Sequence, residues 1–264
     1  MITSTGNARV KQLIQWQKKR KARDKDGVFL VEGLRMFVEA PRENVRELYV
    51  SESFYQNQEE KLQLDEWKAK LEILSDHVFD HVSDTMTPQG VLLVMEQRKY
   101  TLEEMLSNGR GQEEPLLMVL DNLQDPGNLG TILRAGEAAG VTGVILSRDC
   151  VDIYNPKVIR STMGSIYRMP FVYVDQLPEV VSMLSGSGIR TYAAHLDGKN
   201  SYEKENYKKG TAFLIGNEGN GLRKETADAA DIYVRIPMCG KVESLNAAIA
   251  SSVLMFEAAR QRRE

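Results

Sequence analysis

Short apolar runs rich in branched residues recur along this chain, and between them lie segments whose apolar residues fall three or four apart. In the first part GVFLVEG, VRELYVS, LEILSD and GVLLVME predict buried strands. Residues 7–24 predict a helix carrying Val10, Leu13, Ile14 and Trp16, LRMFVEA predicts one stopped by Pro41, and NQEEKLQLDEWKAK a polar helical stretch. From Glu96 to Glu114 the chain turns polar, with a short helix at TLEEMLS and a loop at NGRGQEEP. The alternation then restarts. LLMVLD, GVILS, FVYV, IRTYAAH, TAFLIG and IYVRIP predict strands, whereas NLGTILRAGEAAG, NPKVIRST, QLPEVVSMLS and LNAAIASSVLMFEAARQRR predict helices. The pattern implies two α/β units, residues 1–105 and 115–264, joined by a linker at 106–114. In the second unit, branched strands between helices imply a mostly parallel sheet covered on both faces.

Composition changes this picture little: 264 residues with 42% hydrophobic and 27% charged content are ordinary for a globular protein. Cys150 and Cys239 stand far apart without the spacing of a zinc site or disulfide framework, and no apolar run reaches membrane-spanning length. With no signal-type N-terminus, a cytoplasmic location is expected. A formal net charge of −3 argues against nucleic acid as a partner, yet the average hides a polarity. Arg9, Lys11, Lys18, Lys19, Arg20, Lys21, Arg23 and Lys25 face a single acid, Asp24, and such a cluster either neutralises phosphates or forms a solvated helix face.

Three loops of the second unit each follow an apolar strand and carry glycine: DPGNLG, GNEGNGL and PMCGKVESLN. In a parallel sheet such loops gather at the carboxyl edge, where ligands dock, so together they predict a composite pocket. No dinucleotide fingerprint and no phosphate-binding P-loop is present, since the glycines of GNEGNG stand at the wrong offsets. A phosphate cradle is disfavoured, and a neutral adenosine-type ligand held by backbone groups remains compatible.

These loops resemble the motifs of the SpoU/TrmH group of RNA ribose 2′-O-methyltransferases in the SPOUT superfamily. Asn128 to Arg134 is similar to the first motif, Gly216 to Leu222 to the second, and Ile236-Pro-Met through Glu243-Ser-Leu-Asn246 to the third. The resemblance implies a C-terminal trefoil knot, a rare exception among unknotted chains. It also implies S-adenosylmethionine as cofactor, an RNA substrate, ribosomal more than transfer RNA, and a homodimer. FLVEGLRMFVEA and SDTMTPQGVLLV resemble the L30e-like α/β substrate-binding domain that precedes such catalytic domains. Carried onto this chain, the catalytic positions fall on Arg134, Asn128, Glu218, Ser244 and Asn246, and the cofactor contacts on Gly216, Ile236, Leu245 and nearby Met238. No metal site is implied.

Methyl transfer to a 2′-hydroxyl is an in-line displacement with a good leaving group, so the protein must chiefly align the partners. A guanidinium is a poor proton acceptor. Arg134 is therefore expected to grip substrate phosphate and stabilise developing negative charge. At single positions plain structural roles compete with function: Asn128 before leucine and glycine suits a turn, and Ser244 suits the N-cap of the last helix. Asp125, Pro126 and Gly127 are expected to shape the strand-to-helix connection. His77 and His81 have an i, i+4 spacing, but the neighbouring Asp76, Asp80 and Asp84 make a solvated face the better reading. His195, at a strand end, is placed to line the pocket without a catalytic assignment. A catalytically silent RNA-binding protein and a nucleotide-dependent oxidoreductase are the competing classes; the missing fingerprint weighs against the second.

Overall fold

In the computed structural model of the chain, residues 1–108 and 114–264 are described, and residues 109–113 of the expected linker and loop lie outside them. Two compact units form, Met1–Arg98 together with Asp152–Tyr167, and Lys99–Val151 together with Arg168–Glu264.

The first unit begins with α1 (Ala8–Lys18) and α2 (Arg20–Asp26), where a single helix was expected. Lys19, at φ −124° and ψ 112°, breaks the run. The reason is Arg23, which folds beneath the break and donates to the carbonyls of Trp16 and Gln17 that the helix end leaves unpaired. Its guanidinium, 4% exposed, also pairs with Asp152, so Arg23 leaves the basic cluster and becomes structural. Arg9 pairs with Glu72 and Arg20 with Asp24. Lys11, Lys18, Lys19, Lys21 and Lys25 remain exposed.

β1 (Val28–Glu32), α3 (Leu34–Glu39), β2 (Val45–Ser51), α4 (Glu52–Gln58), β3 (Leu71–Leu74), α5 (Asp76–Val82) and β4 (Val91–Glu96) complete this stretch. The sheet runs β1-β4-β2-β3, antiparallel across β4 and parallel between β2 and β3. Val10, Leu13 and Trp16 of α1 pack with Val78, Phe79 and Val82 of α5 over the sheet. The expected helix in NQEEKLQLDEWKAK stops after Gln58, because the chain turns at Gln63 (φ 51°) to bury Leu64 and Trp67. Trp67 then lies 5.5 Å from the Phe37 ring, and tertiary burial overrides helix propensity. The segment Asp152–Tyr167, expected with the second unit, packs here instead: Phe29 stacks on Tyr154 at 4.6 Å, and the Tyr167 hydroxyl donates to the Met36 carbonyl at 3.0 Å.

In the remaining chain, α6 (Leu102–Asn108), β5 (Leu116–Leu120), α7 (Pro126–Ala139), β6 (Gly143–Ser147), α8 (Pro156–Thr162, in the first unit), β7 (Phe171–Val174), α9 (Leu177–Gly186), β8 (Arg190–Ala194), β9 (Asn200–Ser201), β10 (Thr211–Ile215), α10 (Lys224–Asp228), β11 (Ile232–Arg235) and α11 (Ala247–Arg263) follow. The second unit's seven strands run β7-β6-β5-β10-β8-β11-β9, with every neighbouring pair parallel. Leu117, Val119, Ala212 and Leu214 pack with Leu177, Val181 and Leu184 of α9 and Ala227 of α10. Their neighbours Met118, Leu120, Phe213 and Ile215 point the other way and are equally buried, on the side where α11 meets β10 and α7. The chain leaves β5 through β6 and β7, crosses to β8, and only later inserts β10 between β5 and β8. This insertion puts the loops after β5 and β10 side by side at the carboxyl edge.

The C-terminal ARQRR is used structurally. Arg262 donates to the carbonyls of Tyr207, Glu114, Pro115 and Lys209, and Arg260 pairs with Glu257 and Glu264. Among the described residues no helix is long and apolar enough to cross a membrane.

Candidate active site

The first loop is built by helix capping. The Asp125 carboxylate accepts from the Asn128 N–H at 2.7 Å and Pro126 occupies the first helical turn, so α7 begins two residues before the expected start. Asn128 thereby enters the helix as a largely buried residue, 8% exposed, with its amide turned toward the neighbouring loops.

The second loop closes on itself. Asn217 and Gly221 exchange backbone hydrogen bonds, each 2.9 Å, and the Asn217 Oδ1 accepts from the N–H groups of Gly219 and Asn220 at 3.0 and 3.1 Å. A Cβ on Gly216 would stand 2.0 Å from the Gly221 carbonyl carbon, so only glycine permits this fold.

Glu218 projects from that loop to the first one. Its carboxylate accepts from the Asn128 Nδ2 at 3.0 Å and from the backbone N–H groups of Asp125 and Gln124 at 2.9 and 3.2 Å. Partial burial pushes the Glu218 carboxyl up, but those hydrogen bonds outweigh it and hold the group below the usual glutamate range. Glu218 is thus an ionised acceptor with occupied lone pairs, unsuited to take a proton at neutral pH. Its contribution to stability is present above the ordinary glutamate range and fades as pH falls through its lowered value.

The third loop joins through Asn246. Its Nδ2 donates to the Asn128 Oδ1 at 2.9 Å, and its Oδ1 accepts from the N–H groups of Ala248 and Ile249 at 2.8 and 3.3 Å, capping α11. Each amide has one permitted orientation, because a carboxylate stands at one end of the relay and helix N–H donors at the other. The last helix is therefore capped by Asn246. Ser244, expected as a possible cap, lies exposed two residues upstream.

A buried clamp ties the stems of the first two loops. Asp121, at the end of β5, is fully buried and accepts from the Arg223 backbone N–H at 3.0 Å and Nε at 2.8 Å, and it also pairs with Nη2. Arg223 reaches Asp149 as well, and the Asn217 Nδ2 donates to the Asn122 carbonyl at 2.9 Å. Of these residues Asp121, Asp149 and Arg223 do not stand out in the sequence. The available signals were an acid ending an all-apolar strand and an arginine directly after the second motif.

Beside the relay lies a cavity of about 630 Å³, within the range of small-molecule sites. Gly216, Ile236, Met238 and Leu245 line it, as do Glu218 and Ser244. Its lining includes nothing from Asp121–Arg134; it is shaped by the segments after β8, β10 and β11 and by the start of α11. The Ala194–Leu196 segment, the ends of β10 and β11 and the start of α11 are the parts that the three glycine-bearing loops do not include. Arg134 stands apart from both cavity and relay: it is exposed on α7 and, among the described residues, makes no hydrogen bond or ion pair. Asn128, Glu218 and Asn246 are thus brought together, whereas Arg134 is presented to solvent. A second cleft of about 490 Å³ in the first unit carries Asp76 and Asp80 and no motif residue.

A parallel sheet with a glycine-walled cavity at its carboxyl edge defines an α/β ligand-binding domain, and comparison with known proteins gives its class as RNA methyltransferase. A model of the SpoU rRNA Methylase family matches residues 115–256, and one of the MRM3-like substrate binding domain matches residues 7–93. The chain is 32% identical over 260 residues to the 23S rRNA (guanosine(2553)-2′-O)-methyltransferase RlmP of Bacillus subtilis, covering 97% of each protein. The AdoMet-bound rRNA methyltransferase from Sinorhizobium meliloti superposes with a TM-score of 0.84 at 31% identity, covering 98% of this chain and 97% of that one. The SpoU methyltransferase AviRb from Streptomyces viridochromogenes, in complex with AdoMet, also gives 0.84, at 29% identity over 97% and 99% of the two chains. The chain belongs to the SpoU rRNA methylase family.

Proposed function

We propose that this protein methylates a ribose 2′-hydroxyl of 23S ribosomal RNA, with S-adenosylmethionine as methyl donor. The observation that carries the reading is the continuous relay Asn246–Asn128–Glu218, which joins all three motif loops beside the cavity. A structural turn would need no such convergence of residues 90 and 118 positions apart. Family membership and the ribosomal RNA substrates of the similar proteins support the substrate class.

The cavity suits the cofactor by its donor set. Ile236, Met238 and Leu245 offer apolar surface, Gly216 permits close backbone approach, and Glu243 sets negative charge on the lining to face a cationic group. When bound, S-adenosylmethionine supplies an electrophilic methyl on a sulfonium with neutral sulfur as leaving group. The rest is done by the chain. Asn128 and Asn246 tie the first turn of α7 to the cap of α11, and Glu218 fixes that junction without acting as base. Ser244, exposed at the cavity, is placed to orient the ribose. Arg134 stays cationic, its free guanidinium matching the two oxygens of a phosphate next to the target ribose. The hydroxyl proton then passes to that phosphate or to water.

Within this reading the L30e-like first unit, with Lys11, Lys18, Lys19, Lys21 and Lys25 exposed on and beside its N-terminal helices, docks the RNA backbone. The C-terminal segment forms the trefoil knot, and the protein works in the cytoplasm as a homodimer. Ile249 and Phe256, seven residues apart on α11 and 54% and 46% exposed, offer the apolar stripe that a second copy covers. Sedimentation of the purified protein is expected to give twice the 29.8 kDa chain mass; a single-chain mass at micromolar concentration contradicts the dimer. Incubation with labelled cofactor and unmodified RNAs tests the substrate. Label is expected in 23S RNA and absent from transfer RNA, and the reverse pattern would favour the transfer-RNA alternative.

A further inference from the structure

The relay and the glycine loops leave one polar ring on the cavity without a role. β8 lies between β10 and β11, so the residue following its last position stands between the second and third motif loops. That residue is His195, which lines the cavity with Ala194 and Leu196. Its backbone N–H donates to the Val234 carbonyl at 2.9 Å, and its ring packs at a tilt against that of Tyr233, 4.9 Å between centroids.

The tautomer is set by the chain. The Asp197 backbone N–H donates to the His195 Nδ1 at 3.2 Å, and the Asp197 carboxylate stands 3.6 Å from the same nitrogen; accepting from that N–H leaves the ring proton on Nε2. Among the described residues Nε2 has no partner. A half-buried cavity wall therefore carries one N–H donor, held by ring packing and a fixed tautomer.

Given the cofactor assigned above, we propose that His195 is a cofactor-binding residue whose Nε2–H donates to an acceptor atom on the adenosine half of S-adenosylmethionine. The partition of charge in the cavity argues for that half. Glu243 suits the sulfonium and ammonium of the methionine portion, whereas a single N–H donor between the ends of two apolar strands suits the uncharged ring nitrogens and ribose hydroxyls of adenosine. The contact makes an asparagine and a glutamine at this position inequivalent. Asparagine keeps an acceptor near Nδ1 for the Asp197 N–H but loses the distal donor; glutamine reaches the Nε2 position.

Titration calorimetry on the full-length protein, with S-adenosylmethionine and with S-adenosylhomocysteine, tests the proposal. Binding by the parent checks the cofactor reading, and absence of binding overturns that reading before any variant is compared. His195→Asn is expected to weaken both ligands about tenfold, the effect of one lost hydrogen bond, and His195→Gln to stay within about threefold of the parent. Parental affinity in His195→Asn, or equal loss in both variants, overturns the donor role. Nitrogen NMR of the parent, simple with three histidines in the chain, gives a readout independent of any substitution. Addition of S-adenosylhomocysteine is expected to shift the Nε2 resonance of His195; an unmoved resonance contradicts the contact.

Discussion

Arg134→Ala is expected to lower kcat about 10²- to 10³-fold, the range seen when a donor that stabilises developing charge is removed, while cofactor affinity stays within about twofold. The asymmetry follows from position. Arg134 is exposed on α7, does not line the cavity, and has no partner among the described residues. Its loss therefore leaves no buried group unpaired and should not move the melting temperature. Arg134→Lys keeps the charge but not the planar fork, so it is expected to recover only part of the lost rate. Full activity in the lysine variant would rule out two-pronged phosphate gripping, and a weakened cofactor Kd in the alanine variant would place Arg134 on the other side of the site.

Arg223→Met is expected to destabilise the second unit by about 3 kcal/mol, the low end for breaking a buried pair. The pair is asymmetric: Asp121 is fully buried whereas the Arg223 side chain is 41% exposed, so water replaces part of what the guanidinium provides. For a domain of this size the loss corresponds to a fall in Tm of roughly 10 °C. Asp121→Asn in the same chain removes the stranded charge and is expected to restore most of that fall. If Arg223→Met melts within about 2 °C of the parent, well short of that fall, the clamp does not hold the loop stems together. Cofactor affinity should fall along with stability, since Arg223 directly follows the loop that walls the cavity.

Much of the second unit was legible because its strands are short, apolar and branched, and because glycine, proline and asparagine mark the turns between them. LLMVL, GVILS and TAFLI appear as five-residue strands buried at every position. Their order was not legible. Placing β10 between β5 and β8 depends on pairing between residues some hundred positions apart, to which local pattern is blind. The motif residues were legible by spacing and resemblance. The relay among Asn128, Glu218 and Asn246 was not, since side-chain direction depends on the cap at Asp125 and on the closed loop about Asn217.

Charge misled at Arg23, and Arg262 shows the same effect. Arg23 sits within a basic run and Arg262 within ARQRR, yet both turn inward to satisfy carbonyls that secondary structure leaves open. A run of like charges says how a segment is solvated on average. It does not say which member the fold recruits. The helix break at Lys19 and the turn at Gln63 are the backbone side of the same effect, because burial of Arg23, Leu64 and Trp67 outweighs the fraction of a kcal/mol per residue that helix propensity supplies.

The central claim is the atom that receives the methyl group. Purified protein, incubated with S-adenosylmethionine and unmodified 23S RNA, is to be followed by digestion of the RNA to nucleosides and mass spectrometry. The account predicts one 2′-O-methylnucleoside, with the added mass on the ribose fragment, and its disappearance in Arg134→Ala. Added mass on the base fragment, or no transfer by a protein that binds the cofactor, would contradict it.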